Sequence, residues 1–122
     1  MTTLFLCFTL AYTITIMKGQ HMASYQKPFL FSLGQVVATP AVLKAFERTG
    51  ETPQTFLSRH ARGDWGTVSA EDARANTRAL KDGSRIFSAY KLKDGQKFWI
   101  ITEAVGDDDC RASTCVLLPD DY

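Results

Sequence analysis

The stretch from Ser84 to Glu103 constrains the fold more than any other. Apolar residues recur at every second position in Arg85–Leu92 and again in Gln96–Glu103, and Asp94-Gly95 separates the two runs. Asp-Gly between alternating apolar runs is the strongest short hairpin signal, so antiparallel pairing is expected. A two-residue Asp94-Gly95 loop pairs Lys93 with Gln96. It then sets Leu92 against Lys97, Tyr90 against Trp99, Ser88 against Ile101 and Ile86 against Glu103. The other face carries Lys91 with Phe98, Ala89 with Ile100, and Phe87 with Thr102. Both faces hold large apolar groups, whereas a sheet with one solvated face alternates more cleanly. We expect Phe87, Ala89, Phe98 and Ile100 in the core. Tyr90, Trp99 and Ile101 then form a contact patch on the second face, with Lys97 and Glu103 at its ends. The competing assignment buries Trp99 and exposes Phe98, and periodicity alone does not choose between them.

Upstream of this hairpin the period is helical. Gln35–Ala38 reads as a short strand. Thr39-Pro40 opens a helix, because Thr caps well and the missing proline N–H would have no partner in the first turn. Val42, Leu43 and Phe46 form its apolar stripe, and Gly50 ends it. Thr52-Pro53 repeats the device for a helix carrying Phe56, Leu57 and Ala61, closed by Gly63. Ser69 with Asp72 resembles a capping box for a third helix that runs to about Asp82, with Gly83 after it. Its apolar face is thin: Ala73, Thr77 and Leu80. A last strand spans Cys115–Leu118. The expected order is β-α-α-α-β-β-β, a small single α+β domain with an antiparallel meander and helices on one face.

Residues 1–21 stand apart. Met1 to Met17 is apolar or Thr throughout, with Lys18 the first charge. The run falls short of the roughly 20 apolar residues of a membrane span. It also lacks the basic start and small-residue cleavage site of a signal peptide. A third reading is upstream sequence translated in error: Lys18-Gly19 can be encoded by a ribosome-binding sequence, and Gln20-His21 would space it from the ATG of Met22. We expect a spurious extension or hydrophobic anchor over 1–21 and the domain over 22–122. A chain that starts at Met22 is expected in the cytoplasm, with no membrane contact.

The whole chain has 122 residues and a formal charge of +1, from 14 Lys+Arg against 13 Asp+Glu, which excludes a histone-like polycation and an acidic disordered tail. Three Cys cannot pair fully. Cys110 and Cys115 lack the spacing and companions of a zinc site. Asp107-Asp108-Asp109 lacks the ligand pattern of a calcium loop. No P-loop or dinucleotide Gly-rich turn is present. No metal or cofactor is expected.

Three groups of residues bear on chemistry. His60 near Asp64, with Glu103 as a further carboxylate, could serve a small hydrolase or nuclease. An imidazole in the last helical turn also simply complements the helix dipole. Arg59 and Arg62 flank His60 and could hold an anion. Arg74, Arg78 and Lys81 form a cationic row on the third helix, either a solvated face or a surface for nucleic acid or an acidic protein.

The motifs Phe31-Ser32-Leu33-Gly34-Gln35-Val36-Val37-Ala38-Thr39-Pro40, Arg59-His60, Gly63-Asp64-Trp65-Gly66, Ser84-Arg85-Ile86-Phe87-Ser88-Ala89-Tyr90, Trp99-Ile100-Ile101-Thr102-Glu103-Ala104 and Leu117-Leu118-Pro119-Asp120-Asp121-Tyr122 span positions 29 to 122. In these the chain resembles a family of small bacterial plasmid-related proteins. The resemblance implies residence on plasmids and integrated mobile elements, and it carries over no catalytic residue. The loop Val105–Ser113 is longer than the short link usual in that family. The expected function is that of an accessory protein that binds a macromolecule, either a protein partner or a second copy of itself, with catalysis and nucleic-acid binding as alternatives.

Overall fold

In a computed structural model, which describes residues 27–122, the first and third helices begin and end on the signals that their sequences carry. Strand β1 (Gln35–Ala38) leads into helix α1 (Pro40–Thr49), where Thr39 Oγ1 accepts the Val42 N–H and Gly50 turns left-handed at φ 76°. Helix α2 (Pro53–Ala61) starts at Pro53. Thr52 does not cap it with its side chain, and its hydroxyl lies 3.2 Å from that of Thr55 instead. Helix α3 (Ala70–Asp82) is capped by Ser69 Oγ, which accepts the Asp72 N–H at 3.1 Å. Strands β2 (Ile86–Lys91), β3 (Lys97–Thr102) and β4 (Ser113–Leu117) follow, and a 3-10 turn at Pro119–Asp121 closes the chain. The expectations for 1–21, including the Met22 start, lie outside the described residues.

The sheet order is β1-β4-β3-β2. The last three strands form the antiparallel meander, and β1 adds to β4 in parallel. Helices α1 and α2 cover one face. The core there is an aromatic cluster in which the Phe98 ring lies 4.9 Å from Phe56, 5.1 Å from Phe46 and 5.7 Å from Tyr90. Helix α3 lies against the β2 edge, and the buried contacts come from Asn76 and Ala79 rather than Thr77. The Asn76 side-chain amide accepts from the Phe87 N–H and donates to the Phe87 carbonyl, so it replaces a missing neighbour strand.

The hairpin register differs from the expected one by one residue. Tyr90 pairs with Phe98, Ala89 with Trp99, and Phe87 with Ile101. The loop has three residues, Lys93-Asp94-Gly95. Leu92 and Gln96 close it, and Gly95 sits at φ 89°. Asp-Gly serves such a loop as well as a two-residue one, with glycine in the left-handed position. Packing decides between them: the longer loop buries Ile86 and Tyr90, and at the surface Arg48 of α1 binds Asp94 at 2.8 Å while the Glu51 carboxylate accepts the Lys93 N–H. The slip leaves Phe98 and Ile100 in the core, as expected, but reverses β2. Ile86, Ser88 and Tyr90 point inward, while Phe87 and Ala89 join Trp99 and Ile101 on the second face. Among the described residues, no helix is long and apolar enough to cross a membrane.

Candidate functional site

The last turn of α2 separates residues that are adjacent in sequence. His60 points inward and is fully buried, while Arg59 and Asp64 meet outside at 2.7 Å. His60 Nδ1 lies 2.6 Å from Ser88 Oγ, and Nε2 lies 2.9 Å from Thr102 Oγ1. The chain continues from Thr102 to Thr114 at 2.7 Å and ends on the Leu33 carbonyl at 2.6 Å. That end fixes the protons as far as His60 Nε2. A carbonyl oxygen only accepts, so Thr114 donates to Leu33 and Thr102 donates to Thr114. Thr102 has then spent its hydrogen, so His60 Nε2 carries a proton; in the neutral imidazole Nδ1 then accepts from the Ser88 hydroxyl.

Burial, reinforced by the charge of Arg111, pushes the His60 pKa down from 6.5 to about 3. The imidazole is therefore neutral and spent on structural hydrogen bonds. Ser88 is also fully buried, so the Ser–His contact has no route to a substrate. Asp64 Oδ2 holds Arg59, its Oδ1 accepts the Gly66 N–H, and the Arg59 bond holds its carboxyl below the usual range. Glu103 lies 3.9 Å from Arg85. His60, Asp64 and Glu103 thus do not converge.

Two further arginines have defined surroundings. Arg111, 7% exposed, donates to the carbonyls of Ser84, Glu103 and Ala79 and lies over the Phe31 ring. It ties α3 to the β3–β4 connection. Arg62 binds the Lys27 carbonyl at 2.6 Å through Nε and lies over Phe29. Together Lys27, Arg59, Arg62, Gly63 and Asp64 line an open pocket of about 430 Å³.

The second face of the sheet carries Phe87, Trp99, Ile101, Cys115 and Leu117; Ile101 and Leu117 are buried and the other three half-buried, and the three α-helices lie on the opposite face or along the β2 edge. Trp99 packs edge-on to Phe87 at 5.2 Å and to Tyr122 at 5.8 Å. Tyr90 does not belong to this patch. It is 1% exposed, and its hydroxyl donates to the Asp64 carbonyl at 2.5 Å. Its expected place followed from the two-residue loop, and the three-residue loop turned it inward. Burial also raises its pKa well above 10.0. Arg74, Arg78 and Lys81 are all exposed along α3 and make no ion pair among the described residues. No group of residues suited to a metal ion occurs among the described residues.

The sequence reading missed the Ser88-Thr102-Thr114 set and Arg111. A signal for the three hydroxyls existed: each is a small polar residue at an alternate position of a strand, in line with core residues. Arg111 offered none, because its role depends on carbonyls from three separate segments. Comparison with protein-family models, curated proteins and solved structures finds no match to this chain.

Proposed function

We propose that the chain is a non-catalytic protein-binding module, that its contact surface is the helix-free sheet face, and that this face takes a second copy of the chain. One observation carries the reading: the charges at the hairpin end of the face divide by side. Exposed Lys91 and Lys97 pair across β2 and β3. On the β4–β1 side of the same end, exposed Asp120 and Asp121 follow β4, with Asp121 accepting a hydrogen bond from Thr39 just after β1. A two-fold axis along the strands lays the lysines of one copy over the aspartates of the other and packs the half-buried Trp99 and Phe87 between them. Aromatic centres with charged rims suit such contacts.

The resemblance to plasmid-related proteins supports placing this module among accessory proteins of mobile elements, in the cytoplasm. The hydrolase alternative through His60 and Asp64 gains nothing from the geometry, since one residue is sealed and the other is paired away from it. The exposed row of Arg74, Arg78 and Lys81 leaves nucleic-acid binding as the alternative to a protein contact.

Sedimentation of the full chain over a concentration series tests the proposal. A monomer–dimer equilibrium is expected. Lys97→Glu should weaken it, and Lys97→Glu with Asp120→Lys should restore it, because the double variant re-creates opposite charges across the two-fold. A chain that stays monomeric throughout, or a dimer indifferent to both substitutions, overturns the reading.

A further inference from the structure

We propose that the pocket at the carboxyl end of α2 binds a phosphate monoester dianion on a hydroxylated small molecule. The pocket is lined by Lys27, Arg59 and Arg62 against one carboxylate, Asp64, and its remaining lining residue is Gly63. Two unit positive charges are left over, matching a phosphate monoester above its second ionisation near pH 6.

A helix carboxyl end ordinarily repels anions through its open carbonyls. Here the last four are taken. Ser58 and Arg59 accept from the Arg62 N–H, Arg59 also accepts from Asp64 N–H, His60 from Gly63 N–H and Ala61 from Leu30 N–H. The pocket therefore presents cations rather than the negative end of a helix.

Both guanidinium groups are already held in place. Arg59 lies over the Tyr90 ring at 4.8 Å and the Phe56 ring at 5.6 Å, with Nε fixed by Asp64. Arg62 lies over the Phe29 ring at 4.7 Å, with Nε on the Lys27 carbonyl and Nη1 on Ser58. Aromatic rings hold their faces, so the edges that carry the remaining N–H groups are left for an anion. Both Nη groups of Arg59 and Nη2 of Arg62 have no hydrogen-bond partner among the described residues. Planar forks of this kind suit phosphate oxygens, and groups held before binding lose little entropy on it. A volume of about 430 Å³ exceeds what a bare phosphate fills and leaves room for the esterified group. Asp64 is on hand to accept a hydroxyl of that group. The pocket and the sheet face of the dimer proposal have no residue in common, so neither depends on the other.

Calorimetric titration of the full chain with ribose 5-phosphate, inorganic phosphate, ribose and sulfate tests the assignment. Ribose 5-phosphate should bind more tightly than phosphate, and ribose should not bind. Arg62→Gln and Lys27→Gln should each weaken binding about tenfold, the worth of one charge-assisted hydrogen bond. The thermal midpoint should stay in place for Lys27→Gln, whose side chain is exposed, and fall slightly for Arg62→Gln, which also loses the Lys27 carbonyl and the Phe29 ring. Binding should also weaken as pH falls through about 6 and the dianion is lost. Three results overturn the proposal: no heat with either phosphate, equal affinity for sulfate and ribose 5-phosphate, or binding unchanged in both variants. A 5′-phosphorylated oligonucleotide that binds where ribose 5-phosphate does not would assign the pocket to a nucleic-acid end instead.

Discussion

His60 shows how far a residue's neighbours in space can depart from its neighbours in sequence. Beside Arg59, Arg62 and Asp64 it reads as reactive, yet inside it is the neutral centre of a chain of hydroxyls. Its folded pKa of about 3 lies below the ordinary 6.5, so between those values the unfolded chain binds a proton that the folded one refuses. Folding stability from this residue is therefore complete above about pH 6.5 and is lost as pH falls toward 3. The slope is about 1.4 kcal/mol per pH unit, or about 2 kcal/mol between pH 7 and 5. Urea unfolding at the two pH values should show that loss. His60→Gln, which retains a donor and an acceptor but does not titrate, should be less stable at neutral pH and flat across the window. A wild-type stability that does not change between pH 7 and 5 would contradict the burial of a neutral imidazole.

At the scale of elements, turns and edges govern the sheet. Gly95 and Gly66 both adopt positive φ, at 89° and 75°. A Cβ at Gly95 meets nothing within 4 Å, whereas one at Gly66 would lie 1.9 Å from the Ala89 carbonyl oxygen. That approach exists because residues 65–67 pair with Ala89: Trp65 accepts its N–H, and Thr67 donates to its carbonyl. Together with Asn76 on Phe87, this segment covers the β2 edge, which would otherwise invite pairing with another chain. Gly95→Ala should cost about 1 kcal/mol, from backbone strain alone. Gly66→Ala should cost roughly 3 kcal/mol, because strain and a backbone clash act together. Denaturation midpoints of the two variants measure the difference, and hydrogen exchange should rise at Ala89 only in the second.

Across the whole molecule, Phe98 and Trp99 are adjacent in sequence and serve opposite faces. Phe98 is fully buried in the aromatic cluster, so Phe98→Ala should cost about 3–5 kcal/mol and unfold much of the population. Trp99 touches Phe87 and Tyr122 on the helix-free face, so Trp99→Ala should cost only about 1 kcal/mol and act mainly on dimerisation. Thermal melts and sedimentation of the two variants separate the roles. A Trp99→Ala chain that is unfolded would remove the face from consideration as a contact surface.

Local signals in the chain set the element order. Thr39-Pro40, Thr52-Pro53, Ser69, Gly50 and Gly83 act through local backbone chemistry, which needs no distant partner. The period-two runs fixed the existence of the hairpin in the same way; they left both sides of β3 open to burial, and packing put Phe98 and Ile100 inward, the assignment expected over its rival. Tertiary structure decided what local chemistry leaves degenerate. Asp94-Gly95 suits two loop lengths, and the longer one, which the exposed Arg48 and Glu51 contacts accompany, reverses β2 so that Ile86 and Tyr90 are buried in the core. The parallel docking of β1 on β4, the Arg111 bridge and the pocket of Lys27, Arg59 and Arg62 each join segments far apart in the chain. Such contacts arise only once packing brings those segments together; of the pocket, only the neighbouring pair Arg59 and Arg62 was visible in the chain as a possible anion site, and Lys27 and the aromatic rings that hold the pair were not.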